Sequence, residues 1–188
     1  MSISLQATTR MATLRQPQPS EAALLTELAL AAKAYWGYSA AFMASARAEL
    51  AITASDISQN ANYMRVAVLP GKEGPESQEE IVAVCRITLI DDAEAELSYL
   101  WVSPAHMGRG LGRLLWEDAV RRAGDSGVGR LTLDADPHAE SFHIRMGAQR
   151  CGEVPSGSVP GRVLPRLVVD VPRALATMQA RQAMNAAA

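Results

Sequence analysis

Three glycines at alternate positions, Gly108, Gly110 and Gly112, with Arg109 and Arg113 among them, make the segment best suited to chemistry. A glycine-rich backbone can turn successive N–H groups toward one point, and such a nest holds an anion without any side chain. A helix that starts directly after the nest adds the positive end of its dipole, and the two arginines add charge. The chemistry this suits is the cradling of a diphosphate. Two nucleotide-binding patterns do not fit. The dinucleotide fingerprint needs a glycine where Arg113 stands, and the Walker pattern is absent.

Such a cradle needs a strand leading in and a helix leading out. Ala95 to Val102 reads as the strand, and Pro104 forbids its continuation. The helix carries Leu111, Leu115 and Ala119 in one row with Trp116, Val120 and Ala123 beside it, a broad apolar face that must pack on a sheet. Glu117 with Arg121 and Asp118 with Arg122 are acid-first i,i+4 pairs on its outer side, and Gly124 and Gly127 are expected to end it. Upstream, Ala12 to Gln16 reads as a short strand. A helix capped by Ser20 runs to Gly37, and a second, capped by Ser39, runs to Leu50. Tyr63 to Leu69 and Ile81 to Ile90 read as strands across a turn at Pro70 to Glu79. Downstream come a strand at Leu131 to Leu133, a short helix from Ala139 to Met146 and a last strand from Arg166 to Val171. The expected organisation is a loose extension at residues 1–10, with Met11 a second candidate start, one α/β domain at 11–172, and an Ala- and Gln-rich tail at 173–188 that reads as a frayed helix.

The 188 residues, 48% hydrophobic and 20% charged, suit one ordinary globular domain. A net charge of -2 with scattered arginines argues against a nucleic-acid partner, which needs clustered cations. Neither Cys85 nor Cys151 lies in a Cys-x-x-Cys pair, and the three histidines show no metal-ligand spacing, so no metal is expected. Both cysteines read as reduced core thiols of a cytoplasmic protein. No signal peptide is visible, and Ala22 to Ala34, which contains Glu27 and Lys33, reads as an amphipathic helix with no membrane role.

The order of these segments resembles the GNAT superfamily of acyl-CoA-dependent N-acyltransferases. The signature Arg or Gln, two residues, Gly, one residue, Gly or Ala falls on Met107-Gly108-Arg109-Gly110-Leu111-Gly112, with Met107 departing from it at the first position. Glu96 to Pro104 is similar to the family's fourth strand and following turn, Leu131 to Asp136 to its fifth strand, and Ala139 to Ala148 to its closing helix. The likeness is strong from about Ile81 to Gly152 and topological elsewhere; Gly152 to Pro165 resembles a bacterial subgroup. The resemblance implies a mixed, mostly antiparallel sheet of six or seven strands with helices on both faces. Strands four and five splay apart, and the pantetheine arm of acetyl-CoA lies between them as an added strand. It places Leu100, Trp101, Val102, Met107, Gly108, Arg109, Gly110, Leu111, Gly112, Arg113, Asp136 and Phe142 along that co-substrate, and it implies a homodimer.

Acyl transfer to an amine needs a neutral amine, a donor for the thioester oxygen and a proton for the departing thiolate. Glu96 matches the position of a Glu that family members use as a base through a water, and by strand alternation it shares a face with Leu100 and Val102. The competing reading is a solvent-exposed carboxylate at a strand end. His143 stands where the family commonly has the Tyr that protonates the thiolate. An imidazolium with an ordinary pKa of about 6.5 suits that task; the alternative is packing. Tyr38, Tyr99 and Asp136 are fallback candidates. Asp134 and Asp136 could hold a cationic substrate, while Asp136 could instead cap the turn at Pro137. The aromatic run Tyr35-Trp36-Gly37-Tyr38, together with Tyr99, reads either as helix-corner packing or as a wall of the substrate pocket. The expected reaction is direct transfer of an acetyl group to a primary amine, with a small-molecule acceptor and no nucleic acid or membrane partner. A non-catalytic acyl-CoA-binding regulator and a protein N-terminal or lysine acetyltransferase remain as alternatives.

Overall fold

β-branched and apolar runs condense into a seven-stranded sheet of order β1-β2-β3-β4-β5-β7-β6. The strands are β1 (Thr13–Arg15), β2 (Asn62–Leu69), β3 (Glu80–Leu89), β4 (Glu94–Val102), β5 (Arg130–Asp134), β6 (Gln149–Pro155) and β7 (Val163–Asp170). The structure, a computed structural model, describes residues 12–59, 62–71 and 79–186. The extension at residues 1–10, Met11 and most of the turn after Pro70 lie outside the described residues. Every strand pair is antiparallel except β4 with β5. This is the mixed, mostly antiparallel sheet expected from the sequence.

The helices are α1 (Ala22–Ala34), α2 (Ala40–Leu50), α3 (Ala54–Ser58), α4 (Leu111–Asp125), α5 (Pro137–Arg145) and α6 (Val171–Ala186). Side-chain caps set several starts: Ser39 accepts from the Phe42 N–H, Thr53 and Asp56 form a capping box, and Asp136 accepts from the His138 N–H. One face of the sheet buries the α4 row, Leu111, Leu115, Trp116, Ala119, Val120 and Ala123, against Ile87, Ala95 and Leu97. The other face buries Leu25 and Leu28 of α1 against Val66, Val84 and Tyr99.

Several features differ from the sequence reading: α3 and β6 were not foreseen, and Ser20 caps no helix because it lies inside a 3-10 turn, Pro19–Glu21, that precedes α1. Gly124 does not end α4 but sits in its last turn, where an added Cβ would lie 2.6 Å from Leu175 Cδ1. The tail is a helix, α6, whose Ala174, Leu175 and Met178 pack on the α4 side of the core. Cys85 is buried as expected, whereas Cys151 is exposed; both are free thiols.

The pairing of β4 sets up the site. It joins β5 over only three positions, Glu94↔Arg130 to Glu96↔Thr132, while its ladder with β3 continues to Val102. Beyond Glu96 the edge of β4 that faces β5 has no strand partner among the described residues, which is the expected splay. The β3 ladder also slips, because Arg86 pairs with Tyr99 but Ile87 pairs with Leu97. Ser98 is therefore an inserted residue, a β-bulge.

Candidate active site

The bulge changes which side chains share a face. Simple alternation puts Glu96 with Leu100 and Val102. In the structure Ala95, Leu97, Leu100 and Val102 belong to the α4 side of the core, while Tyr99 and Trp101 belong to the α1 side. Glu96 lies opposite Thr88, on the same side as Tyr99, because one extra residue at Ser98 shifts the phase. Glu96 therefore does not share a face with Leu100 and Val102. The carboxylate lines a cleft of about 350 Å³ together with Lys33, Arg86, Ser98, Tyr99, Trp101 and His143.

The glycine loop lies at the end of the same strand. Pro104–His106 form a 3-10 turn, Met107 is extended, and Gly108 and Gly110 take φ of 74° and 84°, which L side chains rarely adopt. Gly110 caps α4 with no side chain. The N–H groups of Gly108, Gly110, Leu111, Gly112 and Arg113 find no acceptor among the described residues. Unpaired donors at a helix start are the arrangement that an anion nest requires. Gly112 leaves room for a neighbour: an added Cβ would lie 3.3 Å from the Phe142 ring of α5, a tight contact. Phe142 thus touches the loop, and Leu100 and Val102 lie on the open edge of β4.

His143 is buried beside Trp116, ring centroids 5.3 Å apart, and its Nδ1 has no partner among the described residues. Burial pushes its pKa down to about 4. At neutral pH it is a neutral ring, so the imidazolium acid envisaged from the sequence is not present there.

Asp136 lines the same cleft, and its carboxylate is engaged by side chains of the protein. Its carboxylate accepts from Lys33 Nζ at 3.2 Å, Tyr38 Oη at 2.9 Å and Arg162 at 3.2 Å, and it caps α5. Burial alone would raise its pKa, but the His138 N–H, Lys33 and Tyr38 outweigh this and hold it below its ordinary value. The same contacts act on Tyr38, whose hydroxyl is pushed up to about 12, first by burial and then by Asp136. Asp134 is held bidentately by Arg166 at 2.8 and 2.9 Å. That pairing keeps the guanidinium above its ordinary pKa, with Glu96 adding a smaller attraction.

Of the aromatic candidates for the substrate wall, only Tyr99 lines the cleft. Its hydroxyl donates to the Glu49 carbonyl at 2.9 Å. Tyr35 is 58% exposed, Trp36 stacks on His138 at 5.1 Å, and Tyr38 stacks on Phe42 at 4.1 Å. These three form the helix corner, the packing alternative. Trp101 was expected along the co-substrate, but its ring points to the α1 side and lines the cleft. Sequence reasoning missed Lys33 and Arg86. Lys33 is buried at the end of α1, with Tyr38, Phe42 and Trp101 rings 5.6 to 5.7 Å from its ammonium. Arg86 interrupts the apolar run of β3, stacks over Tyr99 at 4.2 Å and reaches Asp56 at 3.3 Å. A charge inside a buried pattern was the available signal for both.

Among the described residues no helix is long and apolar enough to cross a membrane, and no group of His, Cys, Asp and Glu is placed to hold a metal.

Comparison with known proteins agrees with this geometry. A probable acetyltransferase of Glycine max is 32% identical over 78 residues, 42% of this chain and 31% of its own length. The chain therefore matches less than a third of that relative. The fold is similar to the crystal structure of the paia N-acetyltransferase of Thermoplasma acidophilum in complex with coenzyme A. That likeness has a TM-score of 0.65 at 16% identity over 85% of this chain and 98% of the other. It is also similar to the ribosomal-protein-S18-alanine N-acetyltransferase of Escherichia coli, with a TM-score of 0.59 at 17% identity over 86% and 94%. The model of the Acetyltransferase (GNAT) family matches residues 32–148, more than half of the sequence, and the chain belongs to that family.

Proposed function

We propose that the protein transfers the acetyl group of acetyl-CoA directly to a primary amine, with both substrates bound at once. The observation that carries this reading is the shared strand. β4 presents an unpartnered edge and leads to an anion nest, and its bulge turns Glu96 into a cleft beside that edge. The residues fit the co-substrate. The N–H groups of Gly108, Gly110, Leu111, Gly112 and Arg113, which find no acceptor among the described residues, suit a diphosphate, and the open edge from Leu97 to Val102 suits the amides of a pantetheine arm. When bound, acetyl-CoA supplies an acetyl group already activated as a thioester.

The chain's own residues then have two tasks. Glu96 takes the proton of the incoming ammonium, directly or through a water, so that a neutral amine can attack. Its setting suits this, because it makes no ion pair at bonding distance among the described residues, whereas the cations around it are already paired with Asp136, Asp56 and Asp134. The second task is exclusion of water, served by the apolar contacts of Phe142 and His143 beside the loop. A departing thiolate resembles a Cys thiol, with a pKa of about 8.5, and leaves without an imidazolium. A cleft of about 350 Å³ is near the lower end for ligand pockets and suits a small amine.

Thiol release from acetyl-CoA, measured over a panel of primary amines for the parent and Glu96→Gln, tests this. The expected result is turnover with a small amine and a fall of about 10²–10³-fold in the variant. The variant's pH profile should move to the alkaline side, where the amine loses its proton unaided. A binder of CoA that turns over no amine would be the regulator instead. A variant with the parent's rate and profile would remove Glu96 from the chemistry.

A further inference from the structure

Asp136 joins parts of the chain that are far apart in sequence: Lys33 at the end of α1, Tyr38 in the corner before α2, the start of α5, and Arg162 in the loop between β6 and β7. Arg162 differs from the others in what it holds. Its loop, residues 156–162, makes no ladder with any strand and contains Gly157, Pro160 and Gly161, the last with φ of 77°. The loop is closed at its base by the Ser156 N–H to the Arg162 carbonyl at 2.8 Å. Pro155, Gly157 and Leu164 around it line the cleft that holds Glu96. Ser156 Oγ is buried without a partner among the described residues, so it does not tie the loop down.

Among the described residues, the hydrogen bonds from this loop to the rest of the protein come from the Arg162 side chain. Its guanidinium donates to Tyr38 Oη at 2.8 Å and Asp136 at 3.2 Å and lies 4.9 Å from the centre of the Phe42 ring. We propose that Arg162 is a latch that holds the β6–β7 loop closed over the cleft and thereby sets which acceptors bind and how tightly. This assignment rests on the reading of the cleft as the acceptor site. The design is separable. Without Arg162, Asp136 keeps Lys33, Tyr38 and the cap of α5, so the loop alone loses its hold. Nothing in the latch touches the glycine nest, so acetyl-CoA should not feel it.

Arg162→Met and Arg162→Lys test the latch in the full-length chain, alongside the parent. Limited digestion with a low-specificity protease reads the loop without any activity. Arg162→Met should be cut within residues 156–161 at least tenfold faster, and Arg162→Lys, which keeps a charge for Asp136, should lie between it and the parent. Equal cutting of all three overturns the latch. Steady-state kinetics with an amine that the parent acetylates reads its consequence. Arg162→Met should raise KM for the amine about tenfold, the value of one charge-assisted contact. KM for acetyl-CoA and CoA affinity by calorimetry should stay within about twofold. Equal rises for both substrates, or none, overturn the specificity role. If the parent binds CoA but acetylates no amine, the acceptor reading fails with the role built on it, while the digestion still decides whether the loop is latched.

Discussion

His143 shows at the scale of one residue how burial decides chemistry. A ring that titrates near pH 4 cannot carry a proton through the neutral range. Its role in transfer should therefore leave no ionisation in a pH–rate profile between about pH 6 and 8, and His143→Phe should retain most of the turnover. The same burial acts on stability. An unfolded histidine binds a proton below about pH 6.5, whereas the native ring refuses it until about pH 4. The unfolded state then holds more protons, so stability is full above this window and falls as pH drops through it. The contribution is roughly 3 kcal/mol. Urea unfolding at pH 7 and pH 4.5 should show a smaller acid loss for His143→Phe than for the parent, and equal losses would mean that the ring titrates normally. The type and position of His143 were readable in the sequence. Its surroundings were not, because Trp116 reaches it from another helix. Lys33 was hidden for the same reason: its partner Asp136 is supplied from the far end of the chain.

Among the elements, the glycine loop was the most legible. Alternating glycines, a proline and an amphipathic helix are all local signals, and the structure draws them together as one nest. Gly110→Asp puts a carboxylate and a strained φ where the anion is expected, and CoA affinity by calorimetry should fall at least tenfold, on the order of 1.4 kcal/mol. Unchanged affinity in a folded variant would remove the cradle. The β4 bulge was not legible, because nothing about Ser98 distinguishes an inserted residue from an ordinary strand position until β3 is laid beside it. β6 was invisible for another reason. Six of its seven residues are exposed, so it has no buried alternation to read, and it is a strand only because β7 pairs with it. The docking of α6 was hidden by its composition, since alanines and glutamines show little contrast between faces. Gly124 marks the contact. Gly124→Ala should favour the helix by about 1 kcal/mol yet crowd Leu175. A double-mutant cycle should therefore show the substitution to be more favourable in a Leu175→Ala background, and additivity would mean that the two do not meet.

For the whole molecule, the decisive feature is that β4 and β5 are joined by three residue pairs and then part. The sequence carried the mixed sheet and the splay of its fourth and fifth strands through its family likeness, but the width of the opening follows from which side chains fill both of its sides. Phe142 and His143 of α5 pack back onto Trp116 of α4 and so close one side. This arrangement also bears on behaviour at high concentration. A row of unpaired strand amides usually invites another chain to add itself. The two outer margins of this sheet are blunt. β1 is three residues long with Arg15 tied to Glu21 and Glu79, and β6 carries Arg150, Glu153 and Pro155 along an irregular ladder. The long bare stretch of β4 is placed in the middle of the molecule, between β3 and the second half of the sheet. A small extended ligand can reach it there, but a foreign strand with side chains on both faces would have to displace α5. The same opening that makes room for catalysis is thereby kept from becoming a template for aggregation.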